Sequence, residues 1–510
     1  MNARRVGGFL AIGMAAMSVC GGGTVLKAQQ SAAPAKNSFA AADEKILTEV
    51  HDHNEIMSNL EYLSDMIGQR LTGSENLKKA NEWTKQRFTD YGLANPHLES
   101  WTIAHVWTRG TATARIVTPA EHPLTIASYG WASNTDGPVR GPVVYVKAEK
   151  VEDLEQYKGK LKGAIVITSE PLPLPAPDEP AANPVLVPYG DSFLMVRPLR
   201  PGEKPRESDA GFRRFIMARN EFFKKEGVLA GLTDSGKPDG LLNMTSLSGR
   251  QYAIAPIPAA FVTSEGYSLV WRLMKRGPVE VEMDIKSTIG DGPATVYNTI
   301  AEIHGGEKQD EIVVLGAHLD SWDLGTGTTD NGTGSIVVLE AARALQKSGL
   351  RPKRTIRFAL FSGEEQGLNG SRAYVQAHRD EMPRVSAALI HDTGTGRVTS
   401  ISLMRNYASR EVMDTVVAPL RPLGLLELTE RWMTGSDHVP FDEAGVPGFF
   451  CLQDPVQYFE THHSQADTFD QAHEADLVEG AQVMAVVAYN LAELPELLPR
   501  KPLNPSAAAQ

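Results

Sequence analysis

Cysteine is almost missing from this 510-residue chain, which holds only Cys20 and Cys451. Cys20 falls in a stretch expected to be removed, so no intramolecular disulfide can form. Cys451, in Gly448-Phe449-Phe450-Cys451-Leu452, reads as a buried thiol in a strand. Long apolar runs are missing too: none reaches the roughly 20 residues that a spanning helix requires, so no membrane span is expected. Positive charge is in deficit, with 50 Lys and Arg against 62 Asp and Glu and a formal charge of -12, which argues against a nucleic-acid partner. Three catalytic signatures are also lacking: the His-Glu-x-x-His helix, the Gly-x-Ser-x-Gly elbow, and a phosphate loop ending in Gly-Lys-Ser/Thr. Gly325 and Gly327 start a Gly-x-Gly pattern, but Asp330 stands where the third glycine of a dinucleotide loop belongs. What remains is 42% apolar and 22% charged, the composition of a globular chain long enough for two or three domains.

The first 28 residues have the form of an export signal. Arg4 and Arg5 give a charged start, Val6 to Val19 an apolar segment, and Leu26-Lys27-Ala28 a small-residue cleavage site. Its removal takes three positive charges and no negative ones, moving the charge from -12 to -15. Val19 precedes Cys20 where a lipoprotein signal carries a small residue, so lipid anchoring is not expected. The mature protein is expected to be exported, periplasmic or secreted. A disordered leader at 29–42 and a disordered tail at 497–510 flank the folded part.

Within the folded part, apolar spacing predicts amphipathic helices over Glu44 to Asp65 and Asn81 to Tyr91, with turn and capping residues in Leu71 to Glu75. Short β-like runs begin near Ile116, including Pro142 to Val146 and Ala164 to Thr168, and close near Ile285. Residues 116–288 therefore read as a β-rich insert. It divides the rest of the fold into an N-terminal part, 43–115, and a C-terminal part, 289–496. Nine prolines in 171–201 argue for a long surface loop there. From Asn298 onward strands alternate with helices: Ile312 to Gly316, Thr355 to Ser362, Ala387 to Ile390 and Gly448 to Leu452 lie among helical stretches, the last of them Asp476 to Leu494. That alternation predicts an α/β fold, a mostly parallel mixed sheet sandwiched by helices.

In such sheets ligands bind at the carboxyl ends of the strands. The polar clusters fall there: Ala317-His318-Leu319-Asp320 after one strand, Asp330-Asn331-Gly332 after the next loop, Gly363-Glu364-Glu365, His391-Asp392, and His462-His463 after the last strand. Carboxylates brought together would raise one another's pKa unless a cation sat among them. Imidazole and carboxylate without thiolate suit Zn²⁺ or a similar ion, and two His with three acids are enough for two ions bridged by one carboxylate. Two such metals activate water and polarise a carbonyl, and one acid of Glu364-Glu365 can bind metal while its neighbour serves as general base.

The strings Gly316 to Asp323, Asp330-Asn331-Gly332-Thr333-Gly334, Gly363-Glu364-Glu365-Gln366-Gly367 and His462 to Thr468 resemble co-catalytic di-zinc exopeptidases of the bacterial leucyl aminopeptidase and glutamate carboxypeptidase type. The resemblance covers most of the mature chain, since that group also carries an inserted β-rich protease-associated domain. It implies two Zn²⁺ per chain, with Asp330 bridging, His318 and Asp392 completing one site, and Glu365 and His463 the other. Glu364 would be the base. Asp320 would orient the His318 imidazole and Asp467 would be a comparable supporting group. Where the glutamate carboxypeptidases place an oxyanion-stabilising Tyr, this chain has His462, so that role passes to His462, to Tyr458 or to the metals. The substrate implied is a peptide or dipeptide, and the insert would wall the cleft or mediate a homodimer. Two other classes stay in view: a non-catalytic peptide-binding or receptor-like protein on the same scaffold, and an acyl-transfer enzyme with a single zinc. The complete ligand set argues against both. By contrast His391 and His438 read as ordinary loop residues, Trp322 and Trp432 as packing, and His51 and His53 as a solvated helix face.

Overall fold

The computed structural model describes residues 39–172, 185–189, 192–196, 209–246, 252–423 and 427–502. The export signal, most of the leader and the last eight residues of the tail lie outside the described residues. In chain order the strands are β1 (Ala94–Ile103), β2 (Trp107–Thr118), β3 (His122–Leu124), β4 (Ile126–Ser128), β5 (Val139–Tyr145), β6 (Ile165–Ile167), β7 (Val185–Tyr189), β8 (Ser192–Val196) and β9 (Ala230–Asp234). They continue as β10 (Ala259–Val262), β11 (Glu280–Ile289), β12 (Ala294–Ile303), β13 (Lys308–His318), β14 (Arg354–Phe361), β15 (Val385–His391), β16 (Val398–Ser402), β17 (Glu427–Thr429) and β18 (Gly448–Gln453).

One eight-stranded sheet has the order β1-β12-β14-β13-β15-β18-β16-β17. Its centre, β14-β13-β15-β18, is parallel, while β1 and β12 on one flank and β16 on the other run antiparallel to their inner neighbours. Every residue of β14 and β15 is buried, as expected of strands covered on both faces. Alternation along β13 sorts the two cores. Val313, Leu315 and Ala317 face helices Thr333–Ser348 and Glu474–Glu493, whereas Val314 packs with Tyr374 and Phe441 from the helices on the other face. The fold is the expected mixed α/β sheet with helices on both sides.

The second eight-stranded sheet, β3-β2-β11-β5-β6-β9-β10-β4, belongs to residues 107–289. Its core of Ile165, Leu232, Val281 and Ile285 is closed by Tyr267 and Val270 of helix Ser264–Met274. β pairing begins earlier than the sequence pattern suggests. β1 already lines the first sheet, and β2 starts at Trp107, which the sequence pattern missed because Trp107 to Arg115, nine of its twelve residues, is too mixed in exposure to show clean alternation. The proline-rich stretch also holds a hairpin, β7 with β8, in which Pro188 is accommodated because a two-stranded ribbon leaves outward positions that need no N–H.

The helix expected over Glu44 to Asp65 is broken. It runs Ala40–His53, restarts at Ile56–Glu61 and ends in a wider turn at Tyr62–Ile67. The break is held by side chains: the Glu55 N–H donates to Glu340 Oε2 at 3.1 Å, and Asn54 Oδ1 accepts from the Ile56 N–H at 3.4 Å. The next helix, Glu75–Tyr91, starts where Ser74 caps it, its hydroxyl accepting from the Leu77 N–H at 3.1 Å. The two sheets meet through an aromatic cluster that includes Trp107, Trp131, Tyr252 and Trp322. Arg109 of β2 adds a two-pronged bond to Asp323, 2.9 Å on each arm.

Candidate metal centre

The strand ends deliver the polar clusters to one place. His318 is the last residue of β13, Asp392 follows β15, and Glu364 and Glu365 lie just beyond β14. His318 Nε2 is 3.1 Å from Asp392 Oδ1 and 3.3 Å from Asp330 Oδ1. On the other side of Asp330, His463 Nε2 is 3.4 Å from Asp330 Oδ2 and 2.9 Å from Glu365 Oε2. Asp330 therefore belongs to two donor groups, one with His318 and Asp392 and one with His463 and its stacked neighbour His462. His462 Nε2 is farther from Asp330 Oδ2, at 3.7 Å, and its side chain is 40% exposed against 20% for His463. Glu364 Oε2 lies 3.9 Å from His318 Nε2.

These distances fit metal ions. Tetrahedral Zn²⁺ with ligands at about 2.0–2.1 Å separates its donor atoms by roughly 3.3 Å, close to the spacings found around Asp330. Asp330 Oδ2 and Glu365 Oε1 are buried and accept no hydrogen bond among the described residues, a costly arrangement for carboxylates unless a cation completes it. Burial pushes both Glu364 and Glu365 well above the usual carboxylate range, helped by neighbouring acids. Burial also opposes protonation of His318, but Asp392 and Glu364 outweigh it and drive its pKa up. For Asp330 burial is outweighed by His318, His462 and His463, which hold it well below the usual range.

The supporting groups differ in part from the sequence reading. The His318 Nδ1–H donates to the backbone carbonyl of Asp320 at 2.9 Å, with the Asp320 carboxylate at 3.5 Å. The carboxylate is occupied elsewhere: it accepts from the N–H of Glu364 at 3.2 Å, from that of Glu365 at 3.4 Å and from the Thr72 hydroxyl at 3.0 Å. Asp320 thus orients the imidazole with its main chain and the Glu364-Glu365 turn with its side chain. Asp467 secures the loop before Asp330, accepting from Thr329 N–H at 2.5 Å and Asp330 N–H at 3.3 Å. Burial first, then Asp330, raises its pKa to about 7. Tyr458 is buried, its ring 5.0 Å from that of His462, and burial together with Asp330 and Asp392 keeps its phenol protonated.

Several groups escaped the sequence reading. Asp437 is fully buried, accepts from the Ser371 hydroxyl, and has its pKa raised to about 7 by burial, with His318 and Asp392 among its electrostatic neighbours. It follows no strand, so the rule that found the other acids passes over it. Arg70 is fully buried and donates to the carbonyls of Gly68 (3.0 Å), Leu319 (2.7 Å), Thr326 (2.9 Å) and Gly327 (2.5 Å). From the second sheet's segment, the Met244 carbonyl accepts from His463 Nδ1–H at 2.9 Å, leaving Nε2 free to face Glu365 and Asp330. Neither His391 nor His438 lies in a loop as expected: His391 is the buried last residue of β15, and His438 opens the helix His438–Glu443 and is buried against the Met433 carbonyl, while His51 and His53 bond to Asp52 and Glu49 on an exposed helix face. Trp322 packs in the aromatic cluster and sets its edge against His463, ring centroids 5.9 Å apart.

Imidazoles and carboxylates gathered around one shared aspartate, at the carboxyl ends of a central parallel sheet, make a candidate metal centre. Residues 298–488 match the model of peptidase family M28. Carboxypeptidase Q of Rattus norvegicus is 32% identical over 449 residues, covering 88% of this chain and 87% of that protein. The structure of a peptidase M28 precursor from Shewanella amazonensis SB2B superposes with a TM-score of 0.74 at 27% identity, over 91% of this chain and 98% of that one. A zinc aminopeptidase from Bacillus subtilis shares the fold, with a TM-score of 0.59 at 20% identity over 85% and 93% of the two chains. The chain belongs to peptidase family M28 and is a metallo-exopeptidase.

Proposed function

We propose that the protein is an exported di-zinc exopeptidase that hydrolyses terminal peptide bonds of peptides or dipeptides. The observation that carries this reading is the sharing of Asp330 between two donor groups whose spacings suit zinc. His318 and Asp392 would hold one ion with Asp330, and Glu365 and His463 the other. When bound, the ions supply an activated water and polarise the scissile carbonyl.

The chain's own groups do the rest. Glu364, in the same turn as Glu365 and with its Oε2 3.9 Å from His318 Nε2, takes the proton from the attacking water and passes it to the leaving amine. Tyr458, protonated at neutral pH, and His462 can donate to the oxyanion that forms at the carbonyl. Asp320 and Asp467 keep the ligand-bearing loops in place. Trp322, in the aromatic cluster that joins the two sheets, sets its edge against His463, and residues 116–288 are read as a protease-associated type of insert. Export rests on the charged and apolar pattern of residues 1–28.

Two variants test the reading. Glu364→Gln is expected to retain its zinc and lose about 10²- to 10⁴-fold in turnover of a dipeptide panel. Asp330→Ala is expected to lose metal, read by elemental analysis of the dialysed protein, together with activity. Wild-type turnover in either variant would overturn the assignment.

A further inference from the structure

We propose that Lys237, carried by the inserted β-rich segment, binds the free C-terminal carboxylate of the substrate and so makes this enzyme read the carboxyl end of peptides and dipeptides. The proposal rests on the exopeptidase reading and names the end of the substrate that reading leaves open.

Lys237 lies in the segment after β9, and that segment is fixed in place against the loop bearing His462 and His463. The Lys237 N–H donates to Ser235 Oγ at 3.1 Å, and the Ser235 hydroxyl donates to the Leu241 carbonyl at 2.6 Å. The Leu242 N–H donates to Gln465 Oε1 at 2.9 Å, and Gln465 Nε2 returns a bond to the Gly240 carbonyl at 3.1 Å. Two residues beyond Leu242, the Met244 carbonyl holds His463. The lysine therefore stands on a base tied to the His463 loop, close enough for its charge to bear on both His462 and His463.

Lys237 as a residue is only 4% exposed, and its ammonium is incompletely satisfied. It donates to the Phe459 carbonyl and lies 5.0 Å from the centre of the Phe459 ring. Among the described residues it makes no ion pair, although Glu460, Asp330 and Asp467 all feel its charge. An ammonium has three donors, and burying it with a single acceptor is costly. A carboxylate arriving with substrate would supply both the missing acceptors and the missing charge. Burial lowers its pKa to about 8, so the group is still charged at neutral pH.

Two other buried cations of this region are already committed. Arg70 spends its donors on four carbonyls, and Arg109 is held by Asp323 and the Ser128 carbonyl. Lys237 is the one with donors to spare.

The test is calorimetric titration of the full-length, zinc-loaded Glu364→Gln protein with leucyl-leucine and with leucyl-leucinamide, so that binding is read without turnover. The free acid should bind at least about 10-fold more tightly than the amide. Adding Lys237→Met, or Lys237→Gln, which keeps a donor for the Phe459 carbonyl but no charge, should bring the two affinities together, and Lys237→Arg should restore part of the difference. In the chain with Glu364 intact, Lys237→Gln should lower kcat/KM for the free acid through KM. An acid-to-amide ratio that is the same with and without Lys237 overturns the proposal. So does a Lys237→Gln variant that loses zinc or affinity equally for both ligands, which would make the lysine a latch for the Phe459 loop. If the intact enzyme cuts neither compound while the ratio behaves as expected, the exopeptidase reading fails and the carboxylate site stands.

Discussion

Replacing Arg70 with Met preserves most of its volume and removes every donor. Arg70 reaches four backbone carbonyls, and one of them, Gly327, also accepts from the Gly332 N–H at 3.0 Å. The carbonyls of Gly68, Leu319 and Thr326 have no other donor among the described residues. Leaving the buried Leu319 carbonyl unsatisfied costs about 1–3 kcal/mol, and losing the part-buried bonds to Gly68 and Thr326 about 0.5–1.5 kcal/mol each, which puts the loss at roughly 2–6 kcal/mol. That is a large part of the roughly 5–15 kcal/mol by which folded proteins are stable. Urea unfolding followed by tryptophan fluorescence, at fixed zinc concentration, reads the change. Arg70→Lys should lose most of the same amount, because one ammonium cannot span carbonyls on both the 68 and the 319–327 segments. Zinc affinity should fall with stability, since these segments carry His318 and lead into Asp330. A Met variant within 1 kcal/mol of wild type would refute the claim that this guanidinium organises the loops.

Two further outcomes follow from single side chains. Cys451 is fully buried, and burial pushes its thiol pKa up, so iodoacetamide should leave it unmodified in the native protein and label it in urea, as read by mass spectrometry. His378 bonds to Glu99 at 3.0 Å and to Glu381 at 3.2 Å, and the Glu99 bond leads in raising its pKa. Its stabilisation should be complete below the unfolded value of about 6.5 and vanish as pH rises through the raised folded value. Glu99 is shifted down, since its histidine partners outweigh its burial, so the pair's contribution is lost again as pH falls through the carboxylate range. His378→Gln should therefore cost about 0.5–1 kcal/mol at pH 6 and close to nothing at pH 9; an equal cost at both would rule the ion pair out.

His318, Glu364, Glu365 and Asp392 were legible because each ends or follows an apolar strand, and a parallel sheet brings such positions together wherever they lie in the chain, whereas Asp330 and His463 sit in a loop and after a short helix. Asp437 was not legible, since it precedes a short helix instead of following a strand. Arg70 and Met244 act on or through backbone carbonyls, and a carbonyl is the same in every residue, so no side-chain pattern announces those bonds. At Asp320 the main-chain carbonyl accepts from His318 while the carboxylate holds the Glu364-Glu365 turn, a division between atoms that residue type does not announce. Among the secondary-structure expectations, the long first helix failed at Asn54-Glu55 because Glu340, nearly 300 residues away, claims the Glu55 N–H. Apolar spacing carries no trace of such a partner.

The bond from His463 to the Met244 carbonyl bears on how freely this β-rich segment can change over evolutionary time. An inserted domain joined to its host only through two linkers can be exchanged, shortened or lost as a module. Here its main chain fixes the tautomer of a residue at the reactive centre from 219 positions upstream, and the Gln465 bonds hold the two segments in register. Insertions or deletions between Asp234 and Met244 would displace that carbonyl even if every side chain at the centre stayed the same. Length in that segment should be under tighter selection than side-chain identity, and a graft of the insert from a relative should succeed only when the segment arrives with its register intact.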